Sequence, residues 1–248
     1  MAQSESYLSY EWLLGSEMCS FYVDTSFDEP AAGYETLIYA ALRTKSAEQF
    51  TKAELSELKR LEKKLKKALL SAIYLGYIHT SSLRQYYFYT KSETVSLEAL
   101  KTLKAKITRL ELTFGSAHEP DWLTYHSLLL PDEAKYQTVL NKEILLRLSK
   151  AGDNASTVRR LTLTMCFKSD QLRLLFAEKA RKHGFALGEP KFRPELNMAH
   201  TMSIHCLSAL SKPEIDAITT KAIYLAEAFE GCLLRWTSPL MPKRNPLS

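Results

Sequence analysis

The order strand, helix, strand, strand, helix, strand can be read twice along these 248 residues, and that repetition constrains the fold more than any single segment. In the first reading, "SFYVDTSF" (20–27) and "YETLIYAALR" (34–43) are short β-branched and aromatic runs bounded by polar, Pro or Gly residues, the pattern of strands. "TKAELSELKRLEKKLKKALLSAIY" comes next. Thr51 and Glu54 form a capping box there, each side chain able to satisfy a backbone donor at the helix start, and Leu55, Leu58, Leu61, Leu65 and Leu69 return to one helical face. "IYLGYIHT" and "RQYYFYT" read as aromatic strands joined at Ser81-Ser82-Leu83. A helix over about 94–106 and the strand "ITRLELTF", closed by Gly115, complete a ββαββαβ unit.

The second reading starts with Asp132 capping a helix that carries Ala134, Val139, Leu140, Ile144, Leu145 and Leu148 and stops at Gly152, where a left-handed residue can close it. "RRLTLTMCFK" alternates Leu161, Leu163, Met165 and Phe167 against Thr162 and Thr164, a half-buried strand. Ser169 opens a helix that Gly184 closes, strands near "FALGEP" and "HTMSIHCLSAL" follow, and Ser211 with Glu214 makes a second capping box for a helix closed by Gly231. "CLLRWT" is the last strand, so this half reads α-βαββαβ. The expected fold is α+β: two ferredoxin-like-type α/β sandwiches, each an antiparallel sheet with helices packed on one face. The expected division is an N-terminal domain over 1–115, a connector over 116–135 and a second domain over 136–248.

With 46% apolar and 25% charged residues, the chain has the composition of a folded globular protein. Its formal charge of +5 favours acidic partners mildly and falls short of a nucleic-acid signature. Cys19, Cys166, Cys206 and Cys232 are far apart in sequence and form no C-x-x-C pair, which suits buried free thiols in a reducing cytoplasm. The N-terminal residues are acidic where a signal peptide is basic, and no run of 18 apolar residues is present to span a membrane.

Catalytic patterns are missing. The 8 glycines form no phosphate-cradling loop, there is no GxSxG elbow, and no motif pairs a cysteine with one of the six histidines. His200 and His205, five apart on a strand, face opposite sides and so make a poor metal pair. The expectation is therefore a non-enzyme with no cofactor and no metal site. Two regions remain as candidate contact surfaces. The first is the basic face of the 52–70 helix, Lys59, Lys63, Lys66 and Lys67, whose simplest alternative is a solvated face. The second is "GSAHEPDWLTYHSLLLPDEAKYQ" (115–137), where Trp122, Tyr125 and His126 lie among carboxylates but read best as a join packing two domains together.

"VLNKEILLRLSKAGDNASTVRRLTLTMCFKSDQLRLLFAEKARKHGF" (139–185) resembles the linker helix and first βα unit of bacterial proteins in which a domain of unknown function precedes a domain similar to the regulator of ribonuclease E activity B. The resemblance is carried by Asn141, Leu145, "KAGD", Phe167 and "HGF", and in the first half by "FYVDTSF", Tyr34 with "LIYAAL", and "DWLTYHSLLLPDE". It implies a ferredoxin-like second domain and a protein that inhibits an endoribonuclease by binding it. The regulator ends in G-x-Y-D-G-W and is acidic; here Leu234 and Arg235 precede Trp236 and the charge is positive, which turns the expectation toward a different target. The function expected is thus stoichiometric binding to a protein partner, a ribonuclease or a toxin neutralised by its immunity protein, with Arg235 and Trp236 added to the candidate contacts. RNA binding through the aromatic strands is the alternative, and an unrecognised hydrolase a third.

Overall fold

The computed structural model describes residues 7–46 and 48–242. The chain divides into two compact units, Met1–Pro131 and Asp132–Ser248.

In the first unit the strands are β1 (Tyr7–Leu14), β2 (Glu17–Asp24), β3 (Thr36–Thr44), β4 (Ile73–His79), β5 (Leu83–Thr90) and β6 (Leu110–His118), and the helices are α1 (Lys52–Ala68) and α2 (Glu93–Lys104). They build a six-stranded sheet in the order β1-β2-β4-β5-β3-β6, antiparallel throughout. Numbered within the repeat, β3 to β6 lie in the order 4-1-3-2 of a ferredoxin-like unit, and β1 with β2 extends that sheet past β4. The strand β1 was not anticipated. Its hairpin turns on Gly15-Ser16, where Gly15 has φ +62 as a two-residue turn demands.

Thr51 and Glu54 close the expected capping box, and Leu58, Leu61 and Leu65 of α1 meet Ile38, Ala40 and Leu42 of β3 and Tyr86 and Phe88 of β5. Each such burial contributes about 1.5–3 kcal/mol. Gly115 does not end its strand: it lies within β6, facing Tyr39, and a Cβ there would come 2.4 Å from the Tyr39 hydroxyl oxygen.

In the second unit α3 (Glu133–Lys150) precedes β7 (Arg159–Phe167), α4 (Asp170–Lys182), β8 (Ala186–Phe192), β9 (His200–Ser208), α5 (Lys212–Glu227) and β10 (Cys232–Thr237). Its antiparallel sheet runs β10-β7-β9-β8, again 4-1-3-2. Asp132, Ser169 and Ser211 cap the three helices as expected. Leu161, Leu163, Met165 and Phe167 fall on one sheet face beside Ile204 and Met202, in a core shared with Phe176, Ala222 and Ile223. Gly231 does not supply the left-handed helix end; Glu230 does, with φ +50, and Gly231 instead makes room for the Phe167 ring, which a Cβ would approach to 2.2 Å.

Asn141, fully buried on α3, joins three elements of this unit. Its amide donates to Asp216 and Thr219 of α5 at 2.9 Å each, while its oxygen accepts from Gln137 at 2.8 Å and from the Trp236 indole N–H of β10 at 2.7 Å. Leucine at this position strands at least one of these buried partners, so Asn141→Leu is expected to lower stability by about 2 kcal/mol in denaturant titration. A neutral result would mean that the partners find other bonds.

The stretch 116–135, expected to join and pack two domains together, belongs to the first unit as far as Pro131. Residues 116–118 belong to β6, and 119–130 lie across the sheet face opposite α1 and α2. Trp122 stacks on Tyr89 of β5, the Tyr125 hydroxyl donates to the Asp24 carbonyl of β2, and the Tyr10 hydroxyl of β1 donates to the Leu129 carbonyl within a π-helical turn, Tyr125–Leu129. This strap closes the second face of the first unit's sheet, so that Trp122, Tyr125 and Leu129 are core residues of that unit.

Candidate functional site

The strands of the first unit bring together a row of tyrosines that sequence reading passed over. Tyr22 and Tyr77 are direct partners across β2 and β4, and Tyr7 is stacked on Tyr22 at 4.6 Å and 3°. Tyr22 in turn stacks on Tyr77 at 5.3 Å, and Tyr77 meets Tyr86 edge-on at 5.7 Å. Tyr74 joins from the same side, 6.4 Å from Tyr7. Residues three apart on a regular strand face opposite ways. Tyr74 and Tyr77 share a face because the register shifts between Tyr74 and Gly76, a β-bulge that inserts Leu75. Gly76 makes the bulge possible: its φ is +136 and a Cβ would lie 1.9 Å from the Tyr22 carbonyl oxygen.

Cations lie over these rings. Lys66 Nζ is 3.9 Å from the centroid of Tyr74, and the Arg84 guanidinium is 4.4 Å from that of Tyr77. Glu62 ties the two together, 3.1 Å from Lys66 and 3.9 Å from Arg84. Beside the row a groove of about 320 Å³ opens between Tyr7, Lys66, Leu70 and Tyr74, with the buried Asp24 carboxylate at its wall. Leu70 is 84% exposed at its rim. Lys59, Lys63 and Lys67 continue the positive surface along the exposed side of α1, and none of the three has an ion pair among the described residues.

The chemistry open to this surface is recognition. Burial, then the neighbouring Glu62 charge, pushes the Tyr74 hydroxyl far above its ordinary range. Burial also raises Tyr77 and Tyr86, against the pull of Arg84. These phenols stay protonated, as hydrogen-bond donors and flat apolar faces, at any physiological pH. His79, stacked on Phe50, is held neutral by burial and by the Arg84 charge. Among the described residues, no three His, Cys, Asp or Glu side chains sit together to hold a metal ion.

The residues singled out from sequence do not converge. Lys66 belongs to the tyrosine row, and Lys59, Lys63 and Lys67 flank it. Trp122 and Tyr125 are 0% exposed on the opposite sheet face, out of a partner's reach, because the strap uses them to cover the sheet; His126 is half-buried against Tyr125. In the second unit, Arg235 is exposed beside Thr164 on the face away from the helices, while Trp236 is buried and bonded to Asn141. Tyr7, Tyr22, Tyr74, Tyr77 and Arg84 were missed. The signals were the "LLGSE" turn that folds β1 onto β2 and a glycine inside an aromatic strand, a mark of a bulge.

Fold and surface together define an α+β chain of two units with ferredoxin-like strand order, the first carrying a row of tyrosines flanked by lysines; no helix among the described residues is long and apolar enough to cross a membrane. Residues 28–130 match the model of a family of unknown function, DUF695. The match spans β3 to β6 and the strap, so Lys66, Tyr74, Tyr77 and Arg84 fall within it and Tyr7 and Tyr22 precede it. No curated protein matches the chain.

Proposed function

We propose that this protein is a non-catalytic inhibitor or regulator that works by stoichiometric binding to a protein partner, and that the tyrosine and lysine face of the first unit makes the contact. The observation that carries the reading is the row Tyr7, Tyr22 and Tyr77, half-buried and flanked by Lys66 and Arg84. Tyrosine and arginine are the side chains that anchor protein interfaces, since they offer large rigid area with a polar end. Five cations on and beside this face, Lys59, Lys63, Lys66, Lys67 and Arg84, select a partner with an acidic surface. The resemblance of residues 139–185 to the ribonuclease E regulator, in a unit with the 4-1-3-2 strand order, supports an inhibitor of a ribonuclease or of a toxin acting in the cytoplasm.

Aromatic strands beside lysines also suit RNA, whose bases stack on exposed rings. The ring faces favour a protein partner over it. Tyr22 is sandwiched between Tyr7 and Tyr77, Tyr77 is covered by Arg84 and Tyr74 by Lys66, so these ring faces are already engaged and poorly suited to stacking bases.

Affinity capture from the native cell tests this reading, using the wild-type chain and the triple variant Lys59→Glu, Lys63→Glu, Lys67→Glu, each with and without ribonuclease treatment. The expected result is one protein recovered in stoichiometric amount, unaffected by ribonuclease, with affinity for the purified partner reduced about tenfold or more in the variant. Stability should change by no more than about 0.5 kcal/mol, since all three side chains are exposed. Recovery that vanishes with ribonuclease would move the assignment to RNA binding.

A further inference from the structure

Two of the four thiols, 66 residues apart in sequence, meet in the second unit. Cys166 of β7 and Cys232 of β10 are direct partners across the antiparallel ladder, and their Sγ atoms are 3.0 Å apart. A disulfide bond is about 2.05 Å long, so the pair needs to close by about 1 Å to be bonded. The fold allows that shift. β10 is an edge strand, and its register with β7 slips between Leu233 and Arg235, immediately after Cys232. Access differs between the two sulfurs: Cys166 is 4% exposed, whereas Cys232 is only partly covered, with the Met198 sulfur 3.6 Å away.

We propose that Cys166 and Cys232 form a thiol–disulfide exchange site that takes organic disulfides, with Cys232 as the attacking sulfur and Cys166 as the resolving one. The Cys232 thiolate attacks one sulfur of the organic disulfide, forming a mixed disulfide and expelling one thiolate. Cys166 then loses its proton and attacks Cys232 Sγ, which forms the Cys166–Cys232 bond and expels the second thiolate. Two protein thiols are oxidised, one organic disulfide is reduced to two thiols, and the two protons released from the cysteines pass to the departing thiolates. The order of attack agrees with the hydrogen bond between the sulfurs: with Cys166 as donor, the Cys232 thiol is held below its ordinary range against burial and the Glu133 charge, and the Cys166 thiol is pushed well above it. The remaining thiols have no such neighbour. Cys19 is buried on β2, and Cys206 lies on β9 opposite Leu161, with burial raising both.

The reduced full-length chain incubated with oxidised glutathione, sampled over time by intact mass and by peptide mapping without reductant, tests the site. A glutathione adduct at Cys232 should appear first and give way to a Cys166–Cys232 cross-link, at least about tenfold faster than any modification of Cys19 or Cys206. Cys166→Ser should trap the adduct at Cys232, and Cys232→Ser should leave Cys166 unreacted over the same period. An adduct that persists in the wild-type chain, or Cys206 reacting as fast as Cys232, overturns the proposal without recourse to either variant.

Discussion

Trp122→Ala lowers the unfolding free energy of the first unit by about 3–5 kcal/mol, the cost of deleting a large aromatic from a packed core. The side chain is 0% exposed and takes part in three ring contacts: stacked on Tyr89 at 4.4 Å, tilted against Phe27 at 5.5 Å and edge-on to Tyr125 at 5.8 Å. Its indole N–H donates to the Tyr34 carbonyl at 2.6 Å, which is left without that donor in the variant. The backbone adds to the effect. Trp122 has φ +50, a left-handed conformation that costs a non-glycine residue of order 1–3 kcal/mol and that only the surrounding packing maintains. Alanine keeps the strain and loses the packing, so the strap should detach from the sheet.

Because the two units need not unfold together, the readout should be local, namely hydrogen exchange of peptides within 7–131 along a denaturant series. Amides of β1, β2 and β5 should lose protection together with the strap. Trp122→Phe, which keeps a ring but no N–H, should cost about half as much. A loss under about 1 kcal/mol for alanine would mean that the strap rests on the sheet without holding it.

How far this architecture could be read from sequence depends on whether the signal was local. Thr51 with Glu54, Asp132, Ser169 and Ser211 announce their helices because a cap is a contact within four residues, and Leu161, Leu163, Met165 and Phe167 announce β7 because alternation is a property of the strand itself. Those signals sufficed for both βαββαβ orders. Which surface an apolar segment covers is not local. Trp122 and Tyr125 look equally able to pack against a neighbouring domain or against their own sheet; their partners Tyr34, Tyr89 and Asp24 are from 33 to 101 residues away. The same holds for Gly115 and Gly231, read as chain punctuation although each gives space to a ring on another strand.

The tyrosine row was hidden for a related reason. Its tyrosines come from β1, β2 and β4, and only the pairing of three strands and one bulge aligns them. The lysines of α1 could be seen in sequence, as a helical stripe, without the aromatic rings that lie beside them. Cys166 and Cys232, likewise, become neighbours only through the β7–β10 register. In both ferredoxin-like units these side-chain groupings are thus a product of strand pairing, while the helices that sequence reveals most clearly supply the core.

In the second unit the largest single effect is expected from Arg159→Ala, at about 3–5 kcal/mol, because it leaves a buried carboxylate without its counter-charge. Arg159 and Asp153 are each 2% exposed at the side chain, with Nη1 2.6 Å from Oδ1. The guanidinium also donates to the carbonyls of Asn154, Thr157 and Pro239, and the Met241 N–H donates to Asp153 Oδ1 at 2.7 Å, so the pair pins residues 239–241 against the start of β7. Among the described residues Asp153 Oδ2 has no hydrogen-bond partner, which makes the charge on Arg159 the main compensation for its burial. Burial acts to raise the Asp153 carboxyl, but the bonds from Arg159 and Met241 and the guanidinium charge outweigh it and hold the group below its ordinary value. A carboxyl depressed in the folded state stabilises above its unfolded pKa, and that contribution fades as pH falls through the folded one. In Arg159→Ala the sign reverses: the isolated carboxylate favours its neutral form, so protonation relieves the defect. The cost of the substitution, measured from denaturant midpoints of the second unit, should therefore be largest at neutral pH and shrink toward about pH 4, near the ordinary aspartate value. The double variant Arg159→Met with Asp153→Ala removes both charges and should recover much of the loss. A cost that stays the same across this range would show that Arg159 acts through its three carbonyl contacts and not through the charge of Asp153.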